Sequence, residues 1–263
     1  MNDLQRLRAL PHISVSQLKA FIGCARKHRL HYIDRLEPAF RPVALAMGSA
    51  WHETIGQLLL CARDGNKPNG ELHDVLRDAL ARELHADRVP VLFDDDEDEG
   101  LLVDRAMTML DVFVQQFELP EQVLGVEVAF SMDLVDHETG EVLPVPLIGA
   151  LDAIVAKKGV PKVIELKTGK RRWCQDQLAF DLQPTAYKLA AEELGYMQPK
   201  VELVLTTKGK APALQVEEFV RTDADERDLV ATAFGVLRAV DAGVDYPTRC
   251  WACRGCAYQG ACR

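Results

Sequence analysis

The sequence has no long apolar run, no excess of positive charge and few aromatic residues, which are 6% of its 263 residues. A membrane-spanning helix needs about 20 consecutive apolar residues, so we expect none. No apolar stretch follows the first residues, Met1 to Arg6, as it would in a signal peptide. We therefore expect a cytoplasmic protein without membrane contact.

The net charge is −9, which excludes a global positive field that would draw nucleic acid to the chain. Six of the negative charges lie in one run, residues 94–99, which we expect to be an exposed loop of unassigned role. Any DNA contact would then come from local basic patches. Two such patches are Lys167 with Lys170, Arg171 and Arg172, and Arg26 with Lys27 and Arg29. Either patch alone is as well explained by a solvated face.

Hydrophobic residues make up 48% of the chain and charged residues 27%, as in a globular domain with a real core. Helical periodicity dominates up to Pro120, and alternating strand patterns follow it. We predict one α/β domain over residues 1–263, with a mixed sheet of about five strands flanked by helices. Residues 53–120 would be a helical insertion, 121–222 the sheet core, and 243–263 a cysteine-rich region.

Some elements have clear boundary signals. Ser14-Val15-Ser16-Gln17 has the spacing of a capping box and predicts a helix that runs to about Ile33. A single helix is expected from about Gln175 to Leu194. Another helix should begin at Asp223, with Thr222 or Asp223 as its cap.

The pattern with most chemical content lies on two predicted strands. Glu165 and Lys167 are two residues apart on a strand, so their side chains project to the same side while Leu166 points into the core. Asp152 on the preceding strand can bring a second carboxylate near Glu165. Two adjacent carboxylates favour a cation between them, and oxygen ligands suit Mg²⁺ or Mn²⁺. An isolated Glu-x-Lys, however, is normally just an exposed face.

Four short patterns occur in a fixed order along the chain: Gly48-x3-His52, Gly149-x2-Asp152, Glu165-x-Lys167 and Gln183-x3-Tyr187. This ordered set resembles the RecB-like branch of the PD-(D/E)XK nucleases. The segment Ser14-x-Ser16-Gln17-Leu18 with Cys24 is similar to that branch too, although Ala25 stands where proline is common. The resemblance runs from about Ile13 to Cys262.

The resemblance implies a restriction-endonuclease-like core and a role for each matching residue. His52, Asp152 and Glu165 would be metal ligands, assisted by the backbone carbonyl of Leu166. Lys167 would be the catalytic lysine. Candidate residues for positioning or contacting DNA are Gln183, Tyr187, Lys170, Arg171, Arg172 and Trp173. Trp51, Trp173 and Tyr187 could stack on bases, although Trp51 also fits a core position, and Glu127 could be an outer carboxylate.

The tail contains Cys250, Cys253, Cys256 and Cys262, and four cysteines within thirteen residues indicate a metal site. One reading places zinc on these four thiolates. The other is implied by resemblance to iron–sulfur RecB-like nucleases, including AddB-type subunits and CRISPR-associated relatives, and places a [4Fe–4S] cluster on Cys24, Cys253, Cys256 and Cys262. That cluster would join the N- and C-terminal segments. Cys61 and Cys174 are expected to be buried or half-exposed structural residues.

The resemblance thus implies a Mg²⁺- or Mn²⁺-dependent deoxyribonuclease, an exonuclease on single-stranded DNA ends. Recombination, repair, phage replication and CRISPR adaptation are candidate settings, with proteins of recombination or CRISPR adaptation as partners. Three alternatives remain: a catalytically inactive DNA-binding or assembly subunit, a zinc or iron–sulfur interaction or redox protein, and an endonuclease that trims integration intermediates. Cleavage polarity and oligomeric state are left open.

Overall fold

The computed structural model describes residues 3–66, 71–85, 89–95 and 97–262. In these ranges the α-helices are α1 (Asp3–Arg8), α2 (Val15–Gly23), α3 (Ala25–His28), α4 (Val43–Arg63), α5 (Leu72–His85), α6 (Glu99–Gln116), α7 (Gln175–Phe180), α8 (Leu182–Glu193) and α9 (Asp223–Asp241). The strands are β1 (Arg41–Pro42), β2 (Val91–Leu92), β3 (Gln122–Met132), β4 (Leu147–Lys157), β5 (Val160–Gly169), β6 (Lys200–Thr207) and β7 (Leu214–Phe219). A π-helical segment spans Arg29–Ile33, and a 3₁₀ helix spans Trp251–Gly255.

The predicted mixed sheet of five strands is confirmed, with the order β3-β4-β5-β6-β7. β4 pairs antiparallel with β5, β5 parallel with β6, and β6 antiparallel with β7. The turn between β4 and β5 uses Lys158 and Gly159, both at positive φ (51° and 76°). Such a turn matches the twist of the strands it joins and fixes their register.

The first predicted helix has the expected start and an unexpected break. Ser14 accepts a hydrogen bond from the backbone N–H of Gln17 (3.3 Å), and the Gln17 side chain accepts one from the Ser14 N–H (3.0 Å). The helix then ends at Cys24, whose backbone is extended (φ −167°, ψ 106°), before α3 and the π-helical segment continue to Ile33. The prediction of one continuous helix was wrong at that residue.

The predicted helix from Gln175 to Leu194 is also two helices. Asp181 is extended between α7 and α8, and its carboxylate accepts a hydrogen bond from the Gln183 N–H (2.8 Å). The acidic run differs from expectation as well. Glu97 has a side chain only 4% exposed and pairs with Arg105, and Asp98 caps α6, so only part of the run is a solvated loop.

Contacts divide the chain into two compact units. One contains residues 1–40, 129–150 and 221–263, and in it α2 packs on α9. The other contains residues 41–128 and 151–220, and its core joins α4, α5 and α6 to β5 and β6. None of the helices in the described ranges combines the length and the apolar composition needed to cross a bilayer.

Candidate active site

The site is built where the β4–β5 ladder ends. The register pairs Ala153 with Ile164, so Asp152 and Glu165, the next residue on each strand, lie side by side. Asp152 Oδ2 accepts a hydrogen bond from the backbone N–H of Leu166 (2.8 Å). The carboxylate thereby satisfies a backbone donor at the strand end, which holds Asp152 in a fixed position.

Glu165 lies in the middle of a strand that is buried on both faces. Leu166 and Ile164 join the core cluster with α4 and α6, and strand alternation therefore turns Glu165 to the other face, where α8 packs. Its side chain is 0% exposed. Burial raises the pKa of Glu165, and the opposing charge of Lys167 limits the rise.

Lys167 Nζ is 2.8 Å from Glu165 Oε1, as expected from their two-residue spacing. Neither carboxylate oxygen of Glu165, however, accepts a well-directed hydrogen bond from the residues that the structure describes. Burial alone would lower the pKa of Lys167, but the charges of Glu165 and Asp152 raise it above its usual value. The lysine is therefore held as a cation between two carboxylates.

Helix α8 connects Lys167 back to Asp152 through two side chains. Lys167 Nζ donates to Gln183 Oε1 (3.1 Å), and Gln183 Nε2 donates to the Tyr187 hydroxyl (2.8 Å). The Tyr187 hydroxyl donates to Asp152 Oδ1 (3.4 Å). Burial, followed by the charges of Asp152 and Glu165, raises the pKa of Tyr187 well above its usual value, so the phenol stays protonated and acts as a donor.

His52 reaches the same carboxylate from α4. Its Nδ1 is 3.4 Å from Asp152 Oδ1. Burial alone would lower the pKa of His52, but the hydrogen bond and charge of Asp152 raise it above its usual value. His52 from α4 thus contacts Asp152 from β4, and Asp152 lies beside Glu165 of β5.

This donor set fits a divalent cation. Two carboxylates supply the oxygen ligands that Mg²⁺ and Mn²⁺ prefer, and imidazole is a ligand of transition-metal ions. The oxygens of buried Glu165 accept no well-directed hydrogen bond from the described residues, so they keep lone pairs that could bind a cation. Within the described residues, no three His, Cys, Asp or Glu side chains already converge as a ready-made metal site. Cation binding therefore requires these side chains to move towards a common point.

A family model for the PD-(D/E)XK nuclease superfamily matches residues 12–263. The chain belongs to this superfamily. A crystal structure of a Eubacterium rectale protein, described only provisionally as an exonuclease, shares the fold: it is 14% identical, with a TM-score of 0.56 over 96% of this chain and 91% of that one. A structure named SSO0001 is 15% identical over 94% of each chain, but its TM-score of 0.39 is too low to indicate a shared fold. No curated protein matches the sequence.

The two motif glycines, Gly48 and Gly149, differ in whether the surrounding atoms leave room for a side chain. A Cβ on Gly149 would lie 2.6 Å from Phe130 Cζ, so glycine is needed for that ring to pack on β4. A Cβ on Gly48 would meet no atom within 4 Å. The structure therefore explains the glycine before Asp152 by packing and gives no such reason for the one before His52.

The predicted stacking residues divide between core and surface. Trp51 is fully buried and packs edge-to-face on Phe113 (centroids 5.7 Å apart), which agrees with the core position favoured for it over stacking on bases. Tyr187 is buried too, and its hydroxyl is used within the site. Trp173 is half-buried, 6.3 Å from the ring of Phe219, and remains a candidate. Glu127 is exposed on β3 at positive φ (50°).

The basic residues after β5 are mostly at the surface. Lys170 pairs with Asp94 (3.1 Å), Arg171 is exposed, and Arg172 donates to the carbonyl of Leu214 (3.2 Å). In the other predicted patch, Arg26 and Arg29 each lie 3.3 Å from a carboxylate oxygen of Asp245. That second patch is therefore partly neutralised.

Four cysteines line one pocket of about 150 Å³, together with Tyr258. They are Cys24, Cys253, Cys256 and Cys262. The Cys24 sulfur accepts N–H bonds from Lys27 (3.5 Å) and Thr248 (3.4 Å). Cys250 is exposed and is not among the lining residues, and its backbone N–H donates to the Cys253 sulfur (3.5 Å).

The other two cysteines lie outside this pocket. Cys61 is half-exposed on α4, within the predicted range, whereas Cys174 is exposed before α7 and the expectation of a buried or half-exposed position was wrong for it.

One residue of the site was missed in the sequence. Asp181 precedes α8 and caps it, and its charge acts on Glu165 and Lys167. Pro184, in the first turn of α8, is a usual signal of a helix start. An aspartate three residues before it could have been recognised as a cap.

Proposed function

We propose that this protein is a Mg²⁺- or Mn²⁺-dependent deoxyribonuclease. The observation that carries the proposal is the fully buried Glu165: Lys167 Nζ lies 2.8 Å from its carboxylate, and neither carboxylate oxygen accepts a well-directed hydrogen bond from the described residues. A buried carboxylate of this kind is costly to folding. Such a cost is consistent with a residue retained to bind a cation and a phosphate.

We assign the ligand roles to His52, Asp152 and Glu165, with the backbone carbonyl of Leu166 as a further oxygen. When bound, the cation would supply charge stabilisation on the phosphate and lower the pKa of water. The backbone N–H of Leu166 donates to Asp152 Oδ2, and the Tyr187 hydroxyl donates to Asp152 Oδ1. These bonds would hold the Asp152 carboxylate in one orientation.

Lys167 is the proposed catalytic lysine. Its ammonium lies between Glu165 and Gln183, so Gln183 orients it without competing for its charge. In that position the ammonium would hold the attacking water by a hydrogen bond and offset negative charge on the phosphate. Tyr187 is buried and would act on DNA only through Asp152. Gln183 is half-buried and would position Lys167 or the DNA strand.

We propose an exonuclease that acts on single-stranded ends. The provisional description of the Eubacterium rectale structure as an exonuclease supports the reaction type. The net charge of −9 argues against a broad cationic face for duplex DNA. Lys170, Arg171, Arg172 and Trp173 are the proposed DNA contacts, with cytoplasmic recombination, repair, phage replication or CRISPR adaptation as the setting.

For the cysteine pocket we propose a [4Fe–4S] cluster on Cys24, Cys253, Cys256 and Cys262. Their shared pocket and the N–H bonds to Cys24 and Cys253 suit thiolate ligands. Zinc on the four tail cysteines is the alternative, and it would require exposed Cys250 to turn inwards. The proposed role of the cluster is to join the two ends of the chain.

The test uses protein purified without oxygen and two single-stranded DNA substrates, one linear and end-labelled, the other circular. The proposal expects Mn²⁺-dependent degradation of the linear DNA, an intact circle, and visible absorption that is lost in Cys24→Ser. Cleavage of the circle would replace the exonuclease by an endonuclease. A colourless, zinc-containing protein would replace the cluster, and DNA binding without cleavage would leave an inactive assembly subunit.

A further inference from the structure

Asp94 contacts a lysine just beyond the catalytic strand. Its Oδ2 is 3.1 Å from Lys170 Nζ, and Lys170 follows Gly169, the last residue of β5. Lys167 lies three residues earlier on that strand, roughly 10 Å away at ~3.3 Å per residue. That span is within the reach of a few nucleotides of single-stranded DNA. A DNA strand held at Lys167 can therefore reach Lys170.

Further charges gather at the same end of β5 and β6. Lys208 follows β6, and its backbone N–H donates to the last carbonyl of β5 (2.8 Å). Burial lowers the pKa of Lys208, with Lys170 and Arg105 acting in the same direction and Asp94 and Glu97 opposing it. Three cations and two carboxylates thus influence one another at this end of the sheet.

The two ion pairs of this cluster differ in exposure. Glu97 is 4% exposed and pairs with Arg105, and Asp98 accepts the N–H of Leu101 at the start of α6 (2.8 Å). These contacts anchor the acidic segment. Lys170 and Asp94 are 70% and 42% exposed, and exposed pairs contribute little to stability and weaken with salt. The Asp94–Lys170 contact can therefore be exchanged for another anion while Glu97 and Asp98 stay in place.

We propose that Lys170 binds a backbone phosphate of the substrate strand, and that Asp94 competes for this contact in the free protein. The inference rests on the proposed nuclease function and deepens it. It gives Asp94 a role: a DNA strand gains Lys170 only by displacing the Asp94 carboxylate. Weakly charged ligands would not make that exchange, whereas a strand already held at Lys167 would present its next phosphates at high local concentration.

The test is a double-mutant cycle on DNA affinity. Wild type, Asp94→Asn, Lys170→Ala and the double variant are titrated into a fluorescent single-stranded oligonucleotide at 50 and 200 mM salt. Ca²⁺ replaces Mg²⁺, and a gel confirms that the DNA is intact. Asp95→Asn is the matched control, since Asp95 is the exposed neighbour with the same charge. Thermal melting verifies that each variant is folded.

The proposal expects Asp94→Asn to tighten binding about 1.5- to 5-fold at 50 mM salt, the range of an exposed ion pair. It expects no tightening when Lys170 is already alanine, and less tightening from Asp95→Asn. Lys170→Ala should reduce the slope of log affinity against log salt by about 0.7. If Asp94→Asn tightens DNA binding equally with and without Lys170, or tightens it in neither background, the competition by Asp94 is overturned while the nuclease function stands. Wild type that neither binds nor cuts DNA would overturn both.

Discussion

Replacing Glu165 by glutamine tests whether this carboxylate serves metal binding or the stability of the fold. Folding raises the pKa of Glu165, chiefly through burial, so the folded state disfavours its charge. A buried polar group with too few hydrogen bonds costs about 1–3 kcal/mol, and more when charged; the Lys167 ammonium, 2.8 Å away, offsets part of that cost for Glu165. After the lost Lys167 contact is deducted, we expect Glu165→Gln to stabilise the metal-free protein by about 1 kcal/mol, a rise in Tm of about 2–4 °C.

The same change should remove the response to metal. A cation at 100 times its Kd stabilises a protein by about 2.7 kcal/mol, which corresponds to roughly 5 °C or more in Tm. Wild type should show this rise with Mn²⁺, and Glu165→Gln should not. Thermal melting with chelator and with Mn²⁺, at one protein concentration, measures both effects.

Glu202→Gln is the matched control. Glu202 lies on the neighbouring strand β6 and also pairs with a lysine, Lys162, at 2.5 Å. Because Glu202 has its partner, its substitution should lower Tm slightly and leave the Mn²⁺ response unchanged. The reasoning is refuted if Glu165→Gln destabilises the metal-free protein and still responds to Mn²⁺.

Three further changes have distinct expected results. Lys167→Ala should reduce DNA cleavage by about 10²–10⁴-fold while the Mn²⁺ rise in Tm persists, and loss of both would contradict a purely catalytic role. Cys24→Ser should remove bound iron and lower Tm, whereas metal analysis of Cys250→Ser should match wild type; the reverse pattern would favour zinc on the four tail cysteines. Phe113→Ala should cost about 3–5 kcal/mol in urea unfolding, since the ring is fully buried against Trp51; a cost under 1 kcal/mol would contradict that packing.

The sequence predicted those parts of the site that depend on local geometry. Strand alternation placed Glu165 and Lys167 on one side, and helical spacing placed Gln183 beside Tyr187; the distances of 2.8 Å in each pair agree. Burial could not be predicted in the same way. The depth of Glu165 depends on the packing of α8 against β5, a contact that strand alternation does not specify.

The helix breaks show a second limit of sequence patterns. Hydrophobic periodicity continues through Cys24 and Asp181, although both residues have extended backbones. At Asp181, the capping aspartate and the following Pro184 are local sequence signals that indicate the start of a new helix. At Cys24 the sulfur accepts the N–H of Thr248, more than two hundred residues away, and such a distant contact leaves no trace in local periodicity.

The central claim is that the Asp152–Glu165–Lys167 site hydrolyses DNA with a divalent cation. The most direct measurement is release of nucleotides from end-labelled single-stranded DNA, by wild type and by Asp152→Asn, with Mn²⁺ and with chelator. The account predicts release by wild type with Mn²⁺ alone, and loss in Asp152→Asn, which keeps the shape of the side chain. Undegraded DNA with folded, metal-loaded wild type, or equal release by Asp152→Asn, would contradict it.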